Sequence, residues 1–337
     1  MDMRHYYPSY FKKFKCIAAR CPDSCCKDWD VVVDSETEAF YNTVQSPLGD
    51  KLRALTVTDG DGDRVFVSQN GRCPFWNADM LCDIYIELGE DRLCRTCAEF
   101  PRITQEYDGF CEHTLSFACP EAARLILAED NAYSDLLEAR YHGDDELLSS
   151  LLRARKQTAL LLCGSGKPLG LRLGDCLEYN AQIQAVLNGG EPAALDIPED
   201  GDLSAVFELH KRLDYMSADF ARLVAEAGDS GLTPLFEGET AKALERLFLY
   251  MLFRYYLNAV DSYDVLSTVK RAVCACLVLG VMARNTSDLT ALFQRYSKEV
   301  EHSYENSEEL TFAFAADEAF SSERLITLLD AQARKIV

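Results

Sequence analysis

Ten of the fourteen cysteines of this 337-residue chain fall before residue 120: Cys16, Cys21, Cys25, Cys26, Cys73, Cys82, Cys94, Cys97, Cys111 and Cys119. In an oxidising compartment such a density is a disulfide framework. The N-terminus, Met1-Asp2-Met3-Arg4-His5-Tyr6-Tyr7-Pro8, has no apolar segment behind it, so no signal peptide is expected and the cytoplasm is the expected setting. In a reducing compartment, metal ligation accounts for the cysteines better than cross-linking does. The spacings agree: Cys21-x3-Cys25-Cys26, Cys73-x8-Cys82 and Cys94-x2-Cys97 each bring thiolates together through short turns, as zinc or iron–sulfur ligation requires.

Local chemistry points the same way. Cys119 stands before Pro120-Glu121-Ala122-Ala123, a proline-first helix start, where the helix dipole is expected to lower the thiol pKa. Cys73-Pro74-Phe75-Trp76 and Leu81-Cys82-Asp83-Ile84-Tyr85 flank a turn at Asn77-Ala78-Asp79, so a hairpin is expected to hold Cys73 beside Cys82. The remaining cysteines, Cys163, Cys176, Cys274 and Cys276, read as small buried hydrophobes. Cys274 and Cys276 sit two apart in a helical pattern and face nearly opposite ways.

The expected fold class is mainly α: a cysteine-rich α+β N-terminal region with short strands around a metal centre, followed by an all-helical body. The expected division is 1–128 for the metal-binding region and 129–337 for the helical domain, with no parallel sheet. Strands are expected at Trp29–Val33 and Arg64–Ser68, and a capping box at Ser35-Glu36-Thr37-Glu38 opens a helix. After Cys119 the period turns helical, over 120–129, 133–141, 144–163, 172–188, 203–226, 239–260, 264–284, 287–304 and 317–335. The apolar stretches Leu247–Val260 and Val265–Ala283 carry Arg254, Lys270 and Arg271, which suits buried core helices and not membrane spans.

Several motifs carry nothing. Asp59-Gly60-Asp61-Gly62-Asp63 has Arg64 where a calcium loop needs glycine, and is a hairpin turn. Gly164-Ser165-Gly166-Lys167-Pro168 has proline where a phosphate loop needs Ser or Thr. No glycine fingerprint follows a strand, so a doubly wound nucleotide-binding domain is not expected. His113, beside the cysteines, has two readings, a metal ligand and the commoner one of a polar loop residue, and His302 reads as a capping or core hydrogen-bonding residue. The net charge of −21 disfavours nucleic acid and anionic membrane as partners and suits lysine-rich protein surfaces.

Taken in order, Phe14-Lys15-Cys16-Ile17, Cys21-x3-Cys25-Cys26-x2-Trp29, Cys73-Pro74-Phe75, Leu81-Cys82-Asp83-Ile84 with Leu88-Gly89, Cys97-x3-Pro101-Arg102 and Leu115-Ser116-x2-Cys119-Pro120-Glu121-Ala122-Ala123 resemble the flagellin lysine-N-methylase family. The first part also resembles the broader zinc- or iron-chelating cysteine domain, and the helical remainder matches through Arg246–Tyr256 and Tyr296–His302. The resemblance implies a [4Fe–4S] cluster, with zinc as the alternative, and methyl transfer from S-adenosylmethionine to lysine amines, with flagellin as protein substrate. It places metal ligands at Cys16, Cys21, Cys25, Cys26, Cys73, Cys82, Cys97 and Cys119, and treats Cys94 and Cys111 as additional. Two rival classes stay open: a metal-stapled scaffold without activity, and a redox or radical iron–sulfur enzyme acting elsewhere. Lysine methylation also needs a neutral amine, and only about one lysine in a few thousand is neutral at pH 7. The base that removes the proton is not legible in the sequence.

Overall fold

A computed structural model describes residues 3–138, 143–164, 166–198 and 201–333. Among the described residues, six short strands form two sheets, all before residue 116. β1 (Arg4–Tyr6), β5 (Arg102–Tyr107) and β6 (Phe110–Leu115) make one, in the order β1-β6-β5. β2 (Val31–Val32), β3 (Thr56–Thr58) and β4 (Arg64–Phe66) make the other, in the order β2-β4-β3. β6 is the central strand of its sheet, and five of its six residues are buried, whereas β5 at the edge alternates between exposed and half-buried. This sheet is mixed and lies in the N-terminal region, outside the helical body for which no parallel sheet is expected: β5 runs antiparallel to β6, and β1 runs parallel to it, with His5 opposite Cys111. This pairing joins the start of the chain to a segment about a hundred residues later, and no local hydrophobic pattern announces so distant a partner.

The helices that follow pack around Leu266–Met282, which is buried on all sides. That helix meets the apolar length criterion for a membrane span, but most of it is enclosed by protein. Gly280 shows how tightly: a Cβ there would lie 3.0 Å from Pro234, and its carbonyl takes the Leu235 N–H at 2.9 Å. Gly238–Tyr255 and Leu169–Leu187 flank it. Two hydrophobic clusters result. The large one joins the helical body to Tyr10, Phe14, Phe110, Leu115, Phe117 and the Pro120–Ala128 helix. The small one, built on Val31, Tyr41, Leu52, Phe66, Phe75 and Ile84, sits under the cysteine-rich loops, with Cys73, Cys82, Cys94 and Cys97 against it.

The structure departs from the sequence pattern in particular places. The expected helix over 203–226 is two, Leu203–Lys211 and Ala218–Asp229. The break has a cause: the Asp214 N–H donates to Asn306 Oδ1 at 2.7 Å and the Ser217 N–H to Glu299 Oε2 at 3.2 Å, so tertiary acceptors replace the helical carbonyls. A helix at Tyr304–Ala316 was not expected, because its Tyr304 and Phe312 face solvent and blur the amphipathic period. The cap before Ser35–Tyr41 is Asp34, accepting from the Thr37 N–H, and not Ser35. The Cys73/Cys82 hairpin closes through a single bridge, Trp76 to Cys82, before the chain turns into the Asp83–Leu88 helix. The ends of the expected helices 133–141 and 317–335 extend beyond the described residues.

Candidate functional site

The loop from Cys16 to Trp29 is held in shape by its own backbone. Ala18 and Asp28 both adopt positive φ, 49° and 69°. The Cys21 thiol donates to the Asp23 carbonyl at 3.2 Å, and the Cys26 N–H donates to Ser24 Oγ at 3.1 Å. A second loop is tied alongside: the Cys73 N–H donates to the Cys26 carbonyl and the Asp28 N–H to the Gly71 carbonyl, both at 2.8 Å. Gly71 has φ 71°, a conformation open to glycine without strain. Cys94 stands immediately before the Arg95–Glu99 helix, whose first N–H is accepted by Asp34 Oδ2 at 2.8 Å, and Cys97 lies within that helix.

These loops bring the eight cysteines of the family pattern into one neighbourhood. The Cys26 thiol is drawn below its usual range by hydrogen bonding, first from Cys25 and then from Cys73. Cys25 is pushed well up by that same contact with Cys26 and then by burial, and it also feels Cys16 and Cys119. Cys73 feels Cys26 and Cys82; Cys97 feels Cys94, Cys26 and Cys25; Cys119 feels Cys21 and Cys16. Cys94, treated as additional in the sequence, is the direct partner of Cys97 and makes a ninth member. Cys111 is buried on β6, and the nearby charge it feels is that of Glu106 and not another thiol. Among the described residues, no group of three or more His, Cys, Asp or Glu side chains is placed so as to hold a metal ion. The thiols are thus gathered as neighbours and pairs, not as a formed coordination polyhedron. What fits a thiophilic centre is the donor set: nine sulfur donors from five chain segments, with no competing disulfide among them.

Two expectations about single cysteines fail. Cys119 does precede the Pro120–Ala128 helix and accepts from the Ala122 and Glu121 N–H groups, but burial outweighs them and pushes its thiol up to about 11. Cys163 is exposed, at the end of the Glu146–Cys163 helix, whereas Cys176, Cys274 and Cys276 are buried as expected.

The helical body reaches this neighbourhood through one irregular turn. The Leu289–Tyr296 helix continues into a π turn at Ser297–Glu301, a widening often found where a helix serves a site. Lys298 on that turn has a side chain only 5% exposed, and its Nζ lies 3.0 Å from Asp23 Oδ2, 3.4 Å from Asp28 Oδ2 and 5.4 Å from the Trp29 ring centre. One turn earlier, Gln294 Nε2 donates to Asp23 Oδ2 at 2.9 Å and to the Ala118 carbonyl at 2.8 Å, linking the Cys21 and Cys119 segments. His302 bonds Ser116 Oγ through Nε2 at 2.7 Å, and its ring meets Trp29 and Phe100 edge-on at 5.5 and 6.5 Å. Trp29 Nε1 in turn donates to the Cys25 carbonyl at 2.7 Å. Burial, ahead of any neighbouring charge, holds the His302 imidazole below its usual range and hence neutral at pH 7. His113, expected in a loop, lies on β6 and stacks on Tyr7 at 4.3 Å, away from this seam. Sequence reasoning passed over Lys298, Gln294, Asp23 and Asp28, since a charged residue in a helical run ordinarily marks a solvated face. The only available signal was that Tyr296–His302 resembles a family segment.

Comparison with known proteins adds an independent line. Residues 208–328 match the model of the FliB lysine N-methylase C-terminal domain. The chain is 31% identical over 131 residues to a lysine-N-methylase of Salmonella typhimurium, covering 37% of this chain and 33% of that protein. It is likewise 31% identical over 131 residues to the flagellar biosynthetic protein FliU of Salmonella muenchen, covering 37% of this chain and 78% of that protein. A lysine-N-methylase of Salmonella choleraesuis is 30% identical over the same length. The matched part thus spans about a third of each of the two lysine-N-methylases. No solved structure matches.

Proposed function

This chain belongs to the lysine-N-methylase family, and we propose that it is a cytoplasmic protein-lysine N-methyltransferase that uses S-adenosylmethionine, carries an iron–sulfur cluster on its N-terminal cysteines and modifies flagellin. The observation that carries this reading is the seam between the two parts of the molecule. The segment that matches the methylase C-terminal domain places Gln294, Lys298 and His302 directly against the Cys21–Trp29 loop. The family segment and the cysteines are therefore parts of one site. On this reading, residues 1–128 supply the cluster ligands, Cys16, Cys21, Cys25, Cys26, Cys73, Cys82, Cys94, Cys97 and Cys119 being the candidates, and the helical remainder supplies the polar groups.

The methyl donor, when bound, supplies an electrophilic methyl group. The chain must then present the lysine amine unprotonated and shielded from water. Trp29, Phe100 and His302 form an aromatic trio suited to the lysine stem, because aromatic rings pack against a methylene chain and their faces attract its cationic end. His302 is the proton acceptor at this place. Its imidazole is neutral, and Nε2–H donating to Ser116 Oγ would fix its orientation and leave Nδ1 to take the proton. Lys298, by binding Asp23 and Asp28, sets the position of Trp29 and of the Cys25–Cys26 pair. The acidic surface favours encounter with a lysine-rich partner.

The test is methyl transfer. Anaerobically purified protein, incubated with S-adenosylmethionine and unmodified flagellin, should add methyl groups to flagellin lysines, read by mass spectrometry. His302→Ala should lower the rate by about a hundredfold, the usual contribution of a positioned base. A chain that binds iron yet never methylates flagellin would leave the metal-stapled scaffold as the better reading.

A further inference from the structure

Among the described residues, five buried side-chain nitrogen or oxygen atoms lack a hydrogen-bond partner, and three of them belong to groups within electrostatic reach of Arg254, itself one of the three. They are Tyr107 Oη on β5, Arg254 Nε near the end of the Gly238–Tyr255 helix, and Glu301 Oε1 at the close of the π turn. Tyr255 ties two of them together: its hydroxyl donates to Glu301 Oε2 at 2.8 Å, and the Arg254 guanidinium lies 4.9 Å from its ring centre. Arg254 feels the charge of Glu301 and of Tyr107, yet makes neither an ion pair nor a hydrogen bond with any of the described residues. Buried polar groups are nearly always paired, so three unpartnered atoms converging from three elements point to a ligand.

Their chemistry selects its class. Arg254 offers a planar fork of N–H donors, which suits a carboxylate in bidentate fashion. Glu301 has one oxygen committed to Tyr255 and one acceptor free, which suits an ammonium group. These opposite charges lie in one region without pairing with each other, so a group seated between them can meet both. A simple anion would leave the Glu301 oxygen unmet and face its charge. A simple cation would do the same to Arg254. A group with carboxylate and ammonium on one carbon meets both and adds no net charge, with the Tyr107 hydroxyl left to donate to a carboxylate oxygen.

We propose that Arg254, Glu301 and Tyr107 form the seat of an α-amino-acid head group, namely the methionine end of the methyl donor. Only the choice of S-adenosylmethionine as carrier of that head rests on the functional reading above. Arg254 and Glu301 both lie within the segment matching the methylase C-terminal domain, and His302, next to Glu301, faces Trp29 and so the cysteine loops.

Calorimetry on the full-length, anaerobically purified protein tests this with three probes: S-adenosylhomocysteine, 5′-methylthioadenosine, which lacks the amino-acid head, and free L-methionine. The unmodified protein should bind S-adenosylhomocysteine at least about tenfold more tightly than 5′-methylthioadenosine. Arg254→Gln should remove that preference by weakening S-adenosylhomocysteine about tenfold or more, with 5′-methylthioadenosine unchanged. Tyr107→Phe, which deletes only an unpartnered hydroxyl, should give a smaller loss in the same direction and serves if the arginine variant does not fold. If both variants bind S-adenosylhomocysteine as tightly as the unmodified protein, the proposal is overturned and the methyltransferase reading stands. If the unmodified protein binds L-methionine in an Arg254-dependent way but not S-adenosylhomocysteine, the head-group seat stands and the cofactor reading falls. If it binds none of the three, the proposal is overturned.

Discussion

Replacing Lys298 with Met removes the charge that joins the π turn to the cysteine loop while keeping an apolar stem over Trp29. Deleting one partner of a fully buried ion pair costs about 3–5 kcal/mol. Here the discount is substantial. The carboxylates of Asp23 and Asp28 remain 23% and 32% exposed, so water screens what Lys298 leaves behind. They also keep other partners: Gln294 Nε2 at 2.9 Å from Asp23, and Lys27 Nζ at 3.3 Å from Asp28. About 2 kcal/mol is therefore the expected cost, which in a chain of this size lowers the thermal midpoint by about 3 °C. The loss should be local first, because Lys298 holds a loop and not the core. Limited proteolysis should open the segment 16–30 in Lys298→Met before any cut appears in the helical body. Lys27→Met, at an exposed position, is the control and should change stability by no more than about 0.5 kcal/mol. If Lys298→Met melts and digests like the unmodified protein, the seam does not depend on this ion pair and the positioning role assigned to Lys298 is wrong.

Cys25→Ser and Cys26→Ser should each lose bound metal and activity, measured by metal analysis and the flagellin assay, whereas Cys274→Ser should keep both at a cost of about 1–3 kcal/mol for its buried hydroxyl. Cys94→Ser should lose metal as Cys97→Ser does, while Cys111→Ser should retain it; equal metal content in the Cys94 variant and the unmodified protein would remove Cys94 from the site. His210 is fully buried, bonded to the Val206 carbonyl and Tyr296 Oη, and burial lowers its pKa to about 4. Because the unfolded chain takes up this proton near pH 6.5 and the folded one only near 4, stability should fall as pH drops through that window, by about 3 kcal/mol at most. Above pH 6.5 this contribution is flat, and His210→Gln should shallow the acid slope in denaturant titrations; an unchanged slope contradicts it.

The gathering of the cysteines was legible because their spacing is local: Cys21 to Cys26, Cys73 to Cys82 and Cys94 to Cys97 each close through a short stretch of chain. The long core helices were legible too, since Leu266–Met282 is apolar through most of its length. What the sequence hid is long-range. β1 finds β6 across the whole cysteine-rich region, and the break at Arg212–Ser217 depends on Asn306 and Glu299, far along the chain. Lys298 looks like a solvated lysine until the π turn carries it inward to Asp23. Cys119 shows a local rule overruled: the helix start is where its proline puts it, but burial decides the thiol.

Metal and acid-labile sulfide analysis of the anaerobically purified protein bears most directly on the account. An iron–sulfur centre on the N-terminal cysteines predicts iron and sulfide in equal amounts, a broad visible absorbance, and loss of both in Cys25→Ser and Cys26→Ser. Stoichiometric zinc with neither iron nor sulfide would contradict it.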